Sequence, residues 1–147
     1  MEETRRVRSS WDLTAYKWKI ESGGFELLKK GFKEKKILGV KCHRCGTVYV
    51  PGVDYCRKCF VDISEVVEAA DRGRVTTFTV NIADIRGNLL EERTVPCTVQ
   101  LDGSDSVING RIQGMEGDRV RVGMPVRVVW REKTEGALAD IECFEPV

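Results

Sequence analysis

One histidine, His43, stands among the 147 residues of this sequence. Imidazole-based catalysis therefore has a single candidate base, and no Ser/His/Asp arrangement accompanies it. No glycine-rich loop of the phosphate-cradling kind is present. No apolar run approaches the roughly 20 residues that a membrane-spanning helix requires. The start, Met1-Glu2-Glu3-Thr4-Arg5-Arg6, lacks the apolar stretch of a secretory signal. These absences predict a cytoplasmic chain that engages no membrane and carries no active site of its own.

Against that background the cysteines stand out. Four of the six form two pairs, Cys42-His43-Arg44-Cys45-Gly46 and Cys56-Arg57-Lys58-Cys59, with ten residues between Cys45 and Cys56. Two C-x-x-C turns at this separation can close a tetrahedral tetrathiolate site. Gly46 can take the positive φ that such a bend requires. In a reducing cytosol paired cysteines are metal ligands more often than disulfides. Zn²⁺ is the expected ion, with a rubredoxin-like iron site as the alternative. Four thiolates leave no open coordination position, so the metal is structural. His43, inside the first turn, reads as a solvated loop residue. Cys97 and Cys143 sit in the apolar runs Val95-Pro96-Cys97-Thr98-Val99 and Ile141-Glu142-Cys143-Phe144. With no partner base they read as core residues.

The net charge of +1 conceals an asymmetry. Residues 1–60 carry 14 Lys/Arg against 7 Asp/Glu, whereas residues 61–147 carry 10 against 16. Three segments follow. Residues 1–36 read as helical: Leu13, Tyr16 and Ile20 share one face, and Trp11, Ala15 and Trp18 share another. Gly23-Gly24 interrupts the pattern, which resumes with Phe25, Leu28 and Phe32; Gly31 weakens the end of the second helix. Two separate apolar faces on the first helix suit docking on a partner, with cover of the barrel's own core as the alternative. Residues 37–60 read as strand, knuckle, strand, turn and second knuckle, the layout of a zinc ribbon. A ribbon this small draws much of its stability from its metal. Residues 61–147 read as β, with strands expected over 63–69, 74–82, 96–101, 106–112, 126–131 and 137–144. A short helical turn is expected within 117–124. The predicted fold class is mainly β: an OB-fold-like antiparallel barrel preceded by a zinc ribbon and N-terminal helices.

A ribbon joined to an OB-like barrel first suggests nucleic acid, as in translation or transcription proteins. That function needs a basic barrel with exposed aromatics. Here the barrel segment is acidic, and its aromatics, Phe78, Trp130 and Phe144, lie in apolar strand contexts. Phosphate backbones repel such a surface. Nucleic-acid binding is therefore the alternative function, and no nucleic-acid partner is expected.

Several stretches carry a family resemblance. Ile37-Leu38-Gly39-Val40-Lys41-Cys42-His43-Arg44-Cys45-Gly46, then Val50-Pro51, then the second cysteine pair resembles the rubredoxin-like zinc ribbon of the acyl-CoA-associated OB-fold family, catalogued as domain of unknown function thirty-five. Phe25-Glu26-Leu27-Leu28-Lys29-Lys30-Gly31 resembles the helix before that ribbon. Gly73-Arg74-Val75-Thr76-Thr77-Phe78-Thr79 resembles the first barrel strand, and Val122-Gly123-Met124-Pro125-Val126 a later turn. Pro96-Cys97-Thr98-Val99-Gln100-Leu101-Asp102-Gly103 resembles a Pro-aromatic strand, with Cys97 where an aromatic is common. The resemblance implies a non-catalytic accessory subunit of a thiolase-type complex acting on a 3-oxoacyl-CoA, an aromatic one included. The thiolase-like partner supplies the catalytic cysteine, and the small subunit stabilises it and shapes the CoA-thioester channel. In length and organisation the chain resembles the small zinc subunit of two-component thiolases of the benzoylsuccinyl-CoA type. In such a complex CoA meets the partner interface, and Lys41, Arg44, Arg57 and Lys58 are candidates to contact its phosphates.

Overall fold

The computed structural model describes residues 22–147, Ile85 excepted. The helix expected from Trp11, Leu13, Ala15, Tyr16, Trp18 and Ile20 lies outside the described residues. The first described helix, α1, spans Gly23–Lys33 and buries Leu28 and Phe32. Its amphipathic spacing puts these two on one face while Lys30 and Lys33 stand in the last turn, where cations favour the helix dipole. Lys35 adopts φ 56° and ends the helix, with Lys36 N–H donating to the Gly31 carbonyl at 2.9 Å. Helix α1 begins at Gly23 and runs through Gly31, and two of its glycines are held by close packing. A Cβ on Gly24 would stand 2.0 Å from the Gly52 carbonyl oxygen, and one on Gly31 would stand 2.7 Å from that of Lys36.

The ribbon is a three-stranded antiparallel sheet in the order β2-β1-β3, from β1 (Ile37–Lys41), β2 (Val48–Tyr49) and β3 (Glu65–Ala69). Composition alone groups β3 with the barrel strands; the structure instead pairs it along β1, from Ile37↔Ala69 to Lys41↔Glu65. Strand β1 is central and serves two cores. Ile37 joins the barrel's apolar cluster, while Val40 joins Tyr49 and Ile63 in the ribbon's.

The second sheet comprises β4 (Arg72–Phe78), β5 (Asn81–Ala83), β6 (Leu89–Leu101), β7 (Ile108–Ile112), β8 (Pro125–Trp130) and β9 (Ile141–Pro146). Its order is β4-β8-β9-β7-β6-β5, and β4 also pairs β6, which closes five strands into an OB-like barrel with β5 outside it. Strands β7 and β9 meet in parallel at Ile112↔Phe144. The expected helical turn is a 3₁₀ turn at Gly117–Arg119. A second 3₁₀ turn, Leu138–Asp140, replaces the start of the last expected strand. Alternating inward residues, among them Val75, Val95, Val99, Ile108, Val126 and the fully buried Phe144, fill the barrel.

Helix α1 and the ribbon close over this core. Leu28, Phe32, Ile37 and Val50 belong to the same apolar cluster as the barrel residues. The Phe32 ring meets Trp130 edge-on at 5.2 Å. The outer edge of β2 is sealed by the β6–β7 loop. Asp105 accepts from the Val48 N–H at 2.8 Å, and Ser106 Oγ both accepts from the Val50 N–H and donates to its carbonyl. No helix among the described residues is long and apolar enough to cross a membrane.

Candidate metal centre

Each C-x-x-C pair sits on a knuckle with the same backbone pattern. Gly46 N–H donates to the Cys42 carbonyl at 2.8 Å, and Cys42 N–H to the Thr47 carbonyl at 2.9 Å. In the second knuckle Phe60 N–H donates to the Cys56 carbonyl and Cys56 N–H to that of Val61, both at 2.8 Å. This geometry requires a left-handed residue after the second cysteine of each pair. Gly46 meets it at φ 75°, as its position in the sequence suggested; Phe60 meets it at φ 55°.

The two knuckles bring the four Sγ atoms of Cys42, Cys45, Cys56 and Cys59 within 4.8 Å of one another. Cys45 Sγ and Cys56 Sγ lie 3.7 Å apart. A Zn–S bond of about 2.3 Å gives a tetrahedron with S···S edges of about 3.8 Å, so the donor set fits Zn²⁺ in both chemistry and size. All four positions of such an ion would be filled by sulfur, which leaves no site for substrate or water. Cys42 and Cys56 are fully buried, and Cys45 is exposed.

Two hydroxyls orient the sulfurs. Tyr49 Oη accepts from the Arg57 backbone N–H at 3.2 Å, which turns its own proton toward Cys56 Sγ, 3.4 Å away. Lys58 Nζ donates to Thr47 Oγ1 at 3.1 Å, and that hydroxyl lies 3.2 Å from Cys45 Sγ. The Tyr49 hydrogen bond is the largest effect on Cys56 and holds its thiol down to about 6. The Thr47 hydroxyl likewise lowers Cys45. Cys59, hydrogen-bonded to Cys45 and partly desolvated, is pushed up to about 12. Such a quartet shares its protons unequally until a cation replaces them. Tyr49 and Thr47 were not singled out from the sequence; their β-strand alternation beside a C-x-x-C turn was the available signal.

The other candidates lie elsewhere. His43 is exposed on the first knuckle. Cys97 on β6 and Cys143 on β9 are buried in the barrel, and burial pushes Cys97 up to about 11. Arg44, Arg57 and Lys58 are exposed on the knuckles. Lys41, half-buried at the end of β1, stands opposite Glu65. The wall of the cleft between the start of β6 and residues 114–118 is mainly acidic: Glu91, Glu92, Glu116 and Asp118, with Arg93 as the one cation, line a volume of about 530 Å³.

Comparison with known proteins divides the chain at residues 65 and 66, at the start of β3, whereas the two sheets divide after Ala69. The ChsH2 rubredoxin-like zinc ribbon domain matches residues 29–65, and the ChsH2 C-terminal OB-fold domain matches residues 66–131. A DUF35 domain-containing scaffold protein of Methanocaldococcus jannaschii is 29% identical over 100 residues, 67% of this chain and 70% of that protein. A Sulfolobus solfataricus protein of unknown function from the DUF35 family superposes with a TM-score of 0.64 at 28% identity, covering 73% of this chain and 78% of that one. The Ltp2-ChsH2(DUF35) aldolase superposes with a TM-score of 0.62 over 89% of this chain and 98% of that chain; at 24% identity this likeness shows the fold alone. With the ribbon and barrel matches adjoining in one chain, and the same two sheets and cysteine quartet in the structure, the protein belongs to the DUF35 family.

Proposed function

We propose that this chain is a non-catalytic accessory subunit of a thiolase-type acyl-CoA enzyme, held in shape by one structural Zn²⁺ on Cys42, Cys45, Cys56 and Cys59. The observation that carries this reading is the pairing of a closed four-sulfur site with a ribbon-and-barrel body whose DUF35 relative bears the name scaffold protein. The remaining described thiols, Cys97 and Cys143, are packed into the barrel and held protonated, which suits packing rather than nucleophilic attack. An aldolase assembly contains a chain of this fold, which supports a catalytic partner on another polypeptide. In the complex the partner supplies the nucleophile and its bases, and this chain stabilises it and borders the path of the CoA thioester. The acidic cleft wall of the barrel repels phosphate, so any direct CoA contact falls to the knuckle side, where Lys41, Arg44, Arg57 and Lys58 are the candidates.

The test is reconstitution. The purified zinc-loaded chain is assayed for CoA-dependent cleavage of 3-oxoacyl-CoA thioesters alone, and again after co-expression with the thiolase-type subunits of its own genome. The expected result is no turnover alone, and a thiolase-type subunit that is more soluble or more active with the chain than without it. Turnover by the chain alone, or no effect on any thiolase-type subunit, sinks the reading.

A further inference from the structure

The two knuckles share one backbone geometry but not one residue at its left-handed position. The first uses Gly46 and the second uses Phe60, at φ 55°. A bulky L-residue is an outlier in that region, since its Cβ crowds the following carbonyl. Among the described residues Phe60 gains no burial in compensation: it is 82% exposed, and neighbouring Tyr55 is 53% exposed. A strained backbone that presents an aromatic ring to solvent is a cost to the isolated chain, and such costs concentrate where a protein meets a ligand or partner. The flanking residues specify the chemistry of that partner. Arg57 and Lys58 are exposed within the same knuckle and Arg44 on the other, and the Cys45–Cys56 sulfur contact of 3.7 Å joins the two turns. Aromatic and arginine side chains together are the commonest anchors of protein interfaces.

We propose that Phe60 is the docking anchor of this chain, a ring that enters an apolar pocket with an acidic rim on the thiolase-type subunit, with Arg44, Arg57 and Lys58 meeting the rim. This rests on the accessory-subunit reading above. The ring supplies buried area and the cations supply orientation and encounter rate. A nucleic-acid strand stacking on Phe60 is disfavoured, because residues 61–147, with 16 Asp/Glu against 10 Lys/Arg, repel its phosphates.

The experiment uses the full zinc-loaded chain and compares wild type with Phe60→Gly. Relief of the left-handed strain is expected to raise the unfolding midpoint by about 2–4 °C. Affinity for the co-expressed thiolase-type subunit is expected to fall by about 30-fold or more. Arg57→Glu is expected to slow association and weaken its salt dependence. Equal affinity of Phe60→Gly and wild type overturns the anchor while leaving the accessory role standing; a wild type that binds no thiolase-type subunit overturns both. A lower unfolding midpoint in Phe60→Gly shows that residues of this chain already pack on the ring, and also overturns it. Single-stranded RNA or DNA that binds wild type at physiological salt and is lost in Phe60→Gly assigns the ring to stacking instead.

Discussion

The ribbon and the barrel of this chain are cohesive for different reasons. The ribbon's own buried cluster consists of Val40, Tyr49, Ile63 and two of the four metal-site cysteines, Cys42 and Cys56. The barrel's cluster contains Val75, Val95, Val99, Ile108, Val126 and Phe144, with α1 and β1 contributing Leu28, Phe32 and Ile37. Without a cation the ribbon centre is four crowded sulfurs. The barrel centre is a continuous apolar cluster that needs no cation to hold it together. The difference also divides surface roles. The metal-held part presents cations and an exposed ring, and the part held by apolar packing presents a mainly acidic cleft.

Ribbon and barrel differ most in their response to loss of the metal. Cys45→Ala, or removal of the ion by a chelator, is expected to unfold the ribbon outright, because structural Zn²⁺ contributes about 10 kcal/mol or more to small cysteine sites. Amide exchange should accelerate across residues 42–61 while β6 to β9 stay protected. Loss of protection throughout would show that the barrel depends on the metal as well. The converse perturbation is Phe144→Ala, which empties the centre of the barrel and is expected to cost about 3–5 kcal/mol in urea unfolding. The zinc content of the remaining folded protein should be unchanged. Between the two parts stands Ser106, whose hydroxyl serves both the N–H and the carbonyl of Val50. Ser106→Ala leaves both groups without that partner and is expected to cost about 1–3 kcal/mol. It should also widen the difference in exchange protection between ribbon and barrel.

A smaller effect is set by pH. Asp140 is buried, which disfavours its charge, but the N–H groups of Ala137, Glu135 and Gly136, with Arg131 nearby, outweigh burial and hold the carboxyl below its ordinary value. A depressed folded pKa contributes stability above the unfolded value of about 3.9 and loses it as pH falls through the folded one. Asp140→Asn should therefore be less stable than wild type at neutral pH, and the gap should close below about pH 4. A gap independent of pH would locate the effect in packing. The carboxyl orders a loop in which Thr134 Oγ1 donates to the Lys33 carbonyl at the end of α1, so any change should reach α1 before the ribbon.

Much of this was legible in the chain. The spacing Cys42–Cys45 and Cys56–Cys59 specified the four-sulfur cluster because local turns alone bring each pair together. The β-branched runs marked the barrel strands because each has one buried face. What was hidden depended on distant partners. Nothing in Glu65-Val66-Val67-Glu68 tells which strand it joins, and its pairing with β1 spans some thirty residues. The first half of β6, Leu89 to Thr94, escaped notice because it pairs with β5 as an exposed arm and offers almost no buried alternation. The close packing at Gly24 was hidden because the backbone that presses on it, Gly52, lies 28 residues away in the chain. Phe60 was legible only by contrast: the first pair is followed by Gly46, and the second is not.

The central claim is that this chain works bound to a catalytic thiolase-type subunit. Sedimentation velocity of the zinc-loaded full chain mixed with the thiolase-type subunit of its own genome tests it most directly. The expected result is one faster boundary containing both polypeptides, persisting at micromolar concentration and weakened in Phe60→Gly. Two boundaries sedimenting independently at every mixing ratio would contradict it.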